Sequence, residues 1–310
     1  MRRIVRSEAV CLSVKDYHES SKLLMFFTLE YGKVSCLAKG ARRLRSKFGA
    51  ALDLFAQSRI IYYMRENRTL FTLSDAELVH SFSCSQLPTP DSLSRFLAAE
   101  QMTEFVLRVT QPNDPSPHLY RLLLSYLSTL ESLPPYSSTP DSRLSTPCSA
   151  LVCSFLLKAA SFLGFRPELR RCLICQRPIE SQRPAYFDPG RGGIVCPRCA
   201  GENPRGTRLD PAGLDAIAFL LYTPAAEIAH VFSSGPEPTT GDNRQERQGR
   251  QDSDPENLQS PPPVSSSANP QSTIYNLQSP LDLVLGFLGH HFDPLVLNSF
   301  RWHAGLERKV

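Results

Sequence analysis

Cys172, Cys175, Cys196 and Cys199 fall in a C-x2-C-x20-C-x2-C pattern. Four thiolates can close a tetrahedral shell around one zinc ion, and each C-x2-C pair turns tightly enough to supply two neighbouring corners. Gly192-Gly193 ahead of the second pair and Pro197 inside it supply turn chemistry suited to a metal knuckle. A shell made only of sulfur leaves no position for water, so the ion it predicts is one structural Zn2+. Two disulfides, or four free buried thiols, are the alternative reading of the same residues.

The chain has 310 residues, room for two or three domains. No apolar run is long enough to span a bilayer, and Met1-Arg2-Arg3-Ile4-Val5-Arg6 has neither the apolar stretch nor the cleavage site of a signal peptide. The expectation is a cytoplasmic, nucleoid-associated protein with no membrane partner. In that reducing compartment Cys11, Cys36, Cys84, Cys148 and Cys153 read as free thiols, and the odd total of nine cysteines argues against a pure disulfide framework.

Charge is unevenly placed. Residues 1–80 carry fourteen Lys/Arg against eight Asp/Glu, and residues 160–208 carry nine Arg against four acids, so +6 and +5 of the net +4 leave −7 elsewhere. Two basic lobes on a nearly neutral chain point to a polyanion met by defined surfaces.

Periodicity predicts an α+β multidomain protein. Strand patterns at 7–14, 22–29, 33–38, 52–63 and 70–73 make residues 1–80 a small N-terminal β-barrel such as the OB-fold; an SH3-like barrel or small sandwich shares that pattern. From Asp91-Ser92, a helix N-cap signal, the pattern turns helical over 88–165, with a Ser/Thr/Pro linker at 134–147 and Gly164 as a C-terminal cap. The cysteine module, 166–208, is inserted there. Asp210-Pro211 starts a helix predicted to run to about Phe232. Residues 233–273 hold seven prolines and no aromatic residue, and are expected to be a disordered insert before a C-terminal helical segment, 274–310, that begins at Ser279-Pro280.

The second chemical feature is Lys39-Gly40-Ala41-Arg42-Arg43-Leu44-Arg45-Ser46-Lys47-Phe48-Gly49. Between Tyr31 and Leu52 lie six basic residues and no acid, on what reads as a loop between two barrel strands. Lysine and arginine there would neutralise phosphates and release counterions. Lys33, Lys39, Arg42, Arg43, Arg45, Lys47 and Arg59 are the candidate nucleic-acid contacts, with Arg68 as an extension. The alternative is a solvated loop, or a surface that meets an acidic protein. Tyr31, Phe48, Tyr62 and Tyr63 are the nearby aromatics, as stacking platforms or as core. Arg170, Arg171, Arg177, Arg198 and Arg205 flank the cysteine pairs, either presented by the module or merely keeping it soluble.

Enzyme signatures are missing: there is no G-x-x-x-x-G-K-[ST], G-x-S-x-G or H-E-x-x-H. His290-His291 with Asp293 reads as a helix end with interfacial histidines rather than an acid/base cluster. A zinc-assisted hydrolase or nuclease would need an open zinc position or a carboxylate cluster. The expectation is a non-enzymatic protein.

Several stretches resemble the RecO recombination-mediator family of bacterial DNA repair. They are Glu8-Ala9-Val10-Cys11-Leu12, Asp16-Tyr17-His18-Glu19-Ser20, the basic Ala38-Lys39-Gly40-Ala41-Arg42-Arg43, Gly49-Ala50-Ala51-Leu52-Asp53-Leu54-Phe55, Leu73-Ser74-Asp75-Ala76-Glu77-Leu78, and Phe162-Leu163-Gly164-Phe165-Arg166-Pro167 ahead of the cysteine pairs. The resemblance implies an N-terminal OB-fold, a helical domain and a zinc module. It implies binding of single- and double-stranded DNA, annealing of complementary strands and help in loading the recombinase onto protein-coated single strands. The implied partners are RecR and the acidic tail of single-strand-binding protein. The basic segment would lie on the DNA face, and the four cysteines would hold zinc. Leu297-Asn298-Ser299-Phe300 matches the family's closing motif only loosely, and the insert is not a family hallmark. The rival reading is a zinc-ribbon scaffold that binds RNA or an acidic protein, for instance in transcription.

Overall fold

The computed structural model describes residues 2–66, 68–82, 90–134, 147–179, 183–202, 204–233 and 280–292. The expected linker and insert, together with Leu297-Asn298-Ser299-Phe300, lie almost wholly outside these residues.

Five strands form the N-terminal part: β1 (Arg2–Tyr17), β2 (Ser21–Thr28), β3 (Gly32–Ala38), β4 (Gln57–Arg65) and β5 (Leu70–His80). They close on themselves in the order β1-β2-β3-β5-β4. All pairs are antiparallel except β3 with β5, which meet in parallel at Cys36↔Phe71. The result is an OB-like sheet domain. Period-two alternation places Val34, Cys36 and Ala38 of β3 inside, with Cys11, Leu24, Phe26, Ile60 and Tyr62. The apolar run Leu23–Phe27 is denser than alternation alone requires because β1 and β2 are buried on both faces. Leu24 and Phe26 fill the barrel, whereas Val10, Leu12 and Phe27 join the helical core, with Phe27 6.1 Å from Tyr120.

Two strands differ from expectation. Residues 49–52 coil into a 3-10 turn that buries Ala51 and Leu52, so β4 begins at Gln57 and not at Leu52. β5 continues past Leu73 to His80, paired with β4 alone and mostly exposed, so the apolar alternation that marks its first half is absent from its second.

The helical part contains α1 (Pro90–Val109), α2 (Pro117–Ser132), α3 (Pro147–Phe162), the one-turn α4 (Pro197–Ala200), α5 (Pro211–Tyr222), α6 (Ala225–Ser233) and α7 (Pro280–His291). Helix α3 is apolar all round and is buried by the others. It ends at Gly164 (φ 92), where Phe165 N–H reaches the Ala160 carbonyl and Gly164 N–H reaches that of Ser161, a Schellman closure. Asp210 caps α5 by accepting from Gly213 N–H at 2.7 Å. The expected single helix to Phe232 is instead two, because Pro224 removes a donor and forces Thr223 into extended backbone. Asp91 lies inside the first turn of α1 and pairs with Arg95 at 2.7 Å rather than capping.

The barrel docks on the helices at a backbone contact. Gly32 (φ 63) turns β2 into β3 against the α1–α2 connector, where a Cβ would stand 2.0 Å from the Asp114 carbonyl oxygen. Beside it Asn113 N–H donates to the Lys33 carbonyl at 3.0 Å.

Candidate functional site

The basic segment leaves β3 at Ala38 and turns twice, Arg43 N–H bonding the Gly40 carbonyl at 3.1 Å and Ser46 N–H the Arg43 carbonyl at 2.9 Å. It is braced at both ends by its own cations. The Arg42 guanidinium donates to the His18 carbonyl at 3.1 Å and pairs with Asp16 at 3.4 Å, while its N–H holds the Ser20 carbonyl. At the other end the Lys47 ammonium bonds the Ser74 carbonyl and pairs with Asp75 at 3.7 Å. Phe48 is buried in the barrel core beneath it.

This bracing separates the predicted contacts into two sets. Lys39, Arg43 and Arg45 are exposed and have no ion-pair partner among the described residues, and Leu44 between the two arginines is 107% exposed. Arg42 and Lys47 serve the loop's conformation first. Lys33 belongs elsewhere: its ammonium donates to the Leu107 carbonyl at 2.6 Å, and burial lowers its pKa from the ordinary lysine value. Arg59 sits in a cross-strand ladder between Glu8 (3.9 Å) and Glu77 (3.8 Å), which leaves that spot of β4 net acidic. Such exposed pairs contribute little to stability, but they remove the surplus positive charge a phosphate needs. Asp16 and Asp75 lie in stretches that carry the family resemblance, but their pairing with Arg42 and Lys47 arises only from where the barrel turns meet.

The four cysteines converge as their spacing predicts. In the first knuckle Cys172 N–H bonds the Arg177 carbonyl at 2.9 Å and Gln176 takes a left-handed conformation (φ 58). In the second, Cys196 opens α4 and Cys199 N–H returns to the Cys196 carbonyl at 3.0 Å. A three-stranded sheet, β7 (Gly193–Val195), β6 (Ala185–Asp188) and β8 (Thr207–Leu209), carries the second knuckle, and Leu173 N–H ties the first to Ile194. All four Sγ atoms lie within 4.8 Å of one another, and Cys175 Sγ is 3.9 Å from Cys196 Sγ. Metal–sulfur bonds of about 2.3 Å set tetrahedral edges of about 3.8 Å, whereas a disulfide needs about 2.0 Å. The sulfurs are free thiols spaced for an ion, and the set can hold a metal.

The thiols are electrostatically unequal. Burial pushes Cys172 up, but N–H groups of Cys175, Cys196 and Ile174 outweigh it and hold the thiol at about 6. The neighbouring sulfurs of Cys196 and Cys175 push Cys199 up to about 12. Thiols bind a metal as thiolates, so a cation arriving at this cluster releases protons from it.

Helix α7 closes over the same module. Phe287 meets Phe187 at 5.9 Å and His291 Nε2 lies 3.0 Å from the Pro189 carbonyl oxygen, an interfacial setting for this histidine. Among the described residues no helix is long and apolar enough to cross a membrane.

These parts define a class: an OB-like sheet domain with an exposed basic loop, joined to a helical domain that carries a four-thiol cluster able to hold a metal. Residues 1–82 match the family described as Recombination protein O N terminal, and residues 90–237 match Recombination protein O C terminal. The chain belongs to the RecO family. It is 34% identical over 215 residues to a DNA repair protein RecO of Symbiobacterium thermophilum, 69% of this chain and 78% of that one. Over 237 residues it is 30% identical to one of Anaeromyxobacter sp. strain K, 76% and 85%. It is 32% identical over 197 residues to one of Desulfitobacterium hafniense strain DCB-2, where the match covers 63% of this chain and less than two thirds, 64%, of the relative.

Proposed function

We propose that this chain is a non-enzymatic DNA-binding recombination mediator of DNA repair, which binds single- and double-stranded DNA, anneals complementary strands and assists recombinase loading onto protein-coated single strands. The observation that carries this reading is the braced loop, which holds Lys39, Arg43 and Arg45 outward without counter-charges among the described residues. Such cations neutralise phosphates and lower the repulsion between two strands brought to one surface. The closed sheet order supports an OB-fold for residues 1–80, a barrel suited to nucleic acid. Its relatives are named DNA repair proteins. The proposed domain plan keeps 88–165 and 209–232 as one helical domain around the module at 166–208, with one structural zinc on Cys172, Cys175, Cys196 and Cys199. RecR and the acidic tail of single-strand-binding protein are the proposed partners, in the cytoplasm at the nucleoid.

The test is annealing of complementary single strands by the purified protein, without nucleotide or added metal, across a salt series. Annealing that weakens with salt is expected. Protein that leaves the strands unannealed but binds RNA or an acidic protein would transfer the reading to a zinc-ribbon scaffold.

A further inference from the structure

We propose that Tyr17, the last residue of β1, is a base-stacking residue of the barrel surface, on which an unpaired base of a single DNA strand lies while the basic loop holds its phosphates. This rests on the DNA-binding reading above and adds to it a contact to the bases.

Tyr17 is 40% exposed and meets His18 in an edge contact, the ring centroids 4.2 Å apart and the planes at 74°. A contact in which one ring meets the other with its edge leaves the pair an open ring face. Arg42 ties the turn that follows to the basic loop. Its guanidinium donates to the His18 carbonyl at 3.1 Å and pairs with Asp16 at 3.4 Å, and its backbone N–H donates to the Ser20 carbonyl at 3.0 Å. His18 stands in the left-handed region (φ 52), an uncommon conformation for a side chain of its size, and the clamp on its carbonyl holds it there.

Strand register extends the surface. Tyr17 lies opposite Ser21 of β2, which makes Leu23 its diagonal neighbour on the same face, within reach of an aromatic side chain. Leu23 in turn lies opposite Leu37 of β3. Both leucines are half-buried and belong to neither core. Exposed Lys15 pairs with Leu23 from the other side, and exposed Lys39 opens the basic loop two residues past Leu37. An apolar strip edged by cations matches a single strand, whose bases present π-faces and whose phosphates carry charge. The turn itself holds Asp16 and Glu19, so what it offers a strand is ring surface rather than positive charge. The other aromatics near the basic segment are engaged elsewhere. Phe48 and Tyr62 are buried in the barrel, Tyr31 meets Tyr62 edge-on at 6.5 Å, and the Tyr63 hydroxyl accepts from Ser74 at 3.4 Å. A duplex keeps its base faces stacked inside, so a stacking residue here favours single strands.

The test compares the full chain with its Y17A and Y17F variants on fluorescent oligo-dT, on an abasic oligonucleotide with the same number of phosphates, and on duplex DNA. Y17A is expected to bind oligo-dT about five- to a hundredfold more weakly, the loss of one stacked base, with an unchanged salt slope because no phosphate contact is removed. It should bind the abasic strand and the duplex as wild type does, and Y17F should match wild type on oligo-dT. Wild-type protein crosslinked to oligo-dT bearing 5-iododeoxyuridine should carry an adduct at Tyr17, a readout that needs no variant. Unchanged oligo-dT affinity in Y17A, a loss shared equally by the abasic strand and the duplex, or adducts absent from residues 15–23 overturns the stacking role while leaving the basic loop standing. If wild-type protein binds none of the three, the proposed function fails first and this role with it.

Discussion

The ammonium of Lys33, in the barrel, donates a 2.6 Å hydrogen bond to the carbonyl of Leu107 in the last turn of α1. The final carbonyls of a helix have no partner within it and mark the negative end of its dipole, so a cation there satisfies both. One lysine thus stitches the sheet domain to the helical one. It lies in sequence at the edge of the basic segment but does not act with it.

Lys33→Met keeps the apolar stem and removes the amine. It should lower the urea midpoint by the equivalent of about 1 kcal/mol and leave the salt slope of oligo-dT binding unchanged. A reduced slope at unchanged stability would return Lys33 to the DNA surface.

Within the basic loop the two sets of cations should behave differently. K39A/R43A/R45A should stay as stable as wild type and lose about 2 from the single-strand salt slope, at about 0.7 per contact. Arg42→Ala and Lys47→Ala, which release the bracing, should mainly reduce affinity by loosening the loop, with slope changes below one contact each. Equal slope losses in all these variants would mean that every cation touches phosphate.

Gly32→Ala tests the docking of barrel on helices. The new methyl meets the Asp114 carbonyl oxygen at 2.0 Å in a left-handed backbone conformation. Strain and overpacking together predict a loss of about 2–4 kcal/mol, read by chemical denaturation. A variant of wild-type stability would show that the connector moves aside at little cost.

Cysteine 196 tests the metal. Cys196→Ser should lower zinc below one per chain and make residues 166–208 sensitive to protease, while the barrel, whose core is a separate cluster, stays folded. Full zinc content in that variant would place the ion elsewhere.

Burial raises the Cys11 thiol from 9.0 to about 12 and pushes Cys36 up as well. In native protein treated with chelator, a thiol reagent at neutral pH should label the exposed knuckle cysteine Cys175 and leave Cys11 and Cys36 unmodified until the chain unfolds. Because the folded state retains a proton that the unfolded chain releases, Cys11 stabilises fully below pH 9, and that contribution is lost as pH rises from 9.0 towards about 12. Cys11→Ala should therefore flatten the alkaline loss of stability. Rapid labelling of Cys11 in folded protein would contradict its place in the core.

Much of this was legible in local pattern. The C-x2-C pairs, the alternation of Val34, Cys36 and Ala38, the Asp210 cap and the Gly164 terminus each depend on residues a few positions apart, and the folded chain uses them as their chemistry predicts. The break at Thr223-Pro224 is equally local, but the apolar run on both sides of it makes the sequence read as one helix. The partner of a charged side chain is a different matter. Lys33 and Lys39 read alike in sequence, yet one is committed to Leu107, seventy-four residues away, and the other faces solvent. Arg59 lost its surplus charge to Glu8 and Glu77 only when strand register brought them side by side. Backbone preferences are settled within a turn or a strand, and the amino-acid sequence alone determined them. Which cations remain for a ligand depends on acids and carbonyls delivered by distant segments, and that was decided by the tertiary structure.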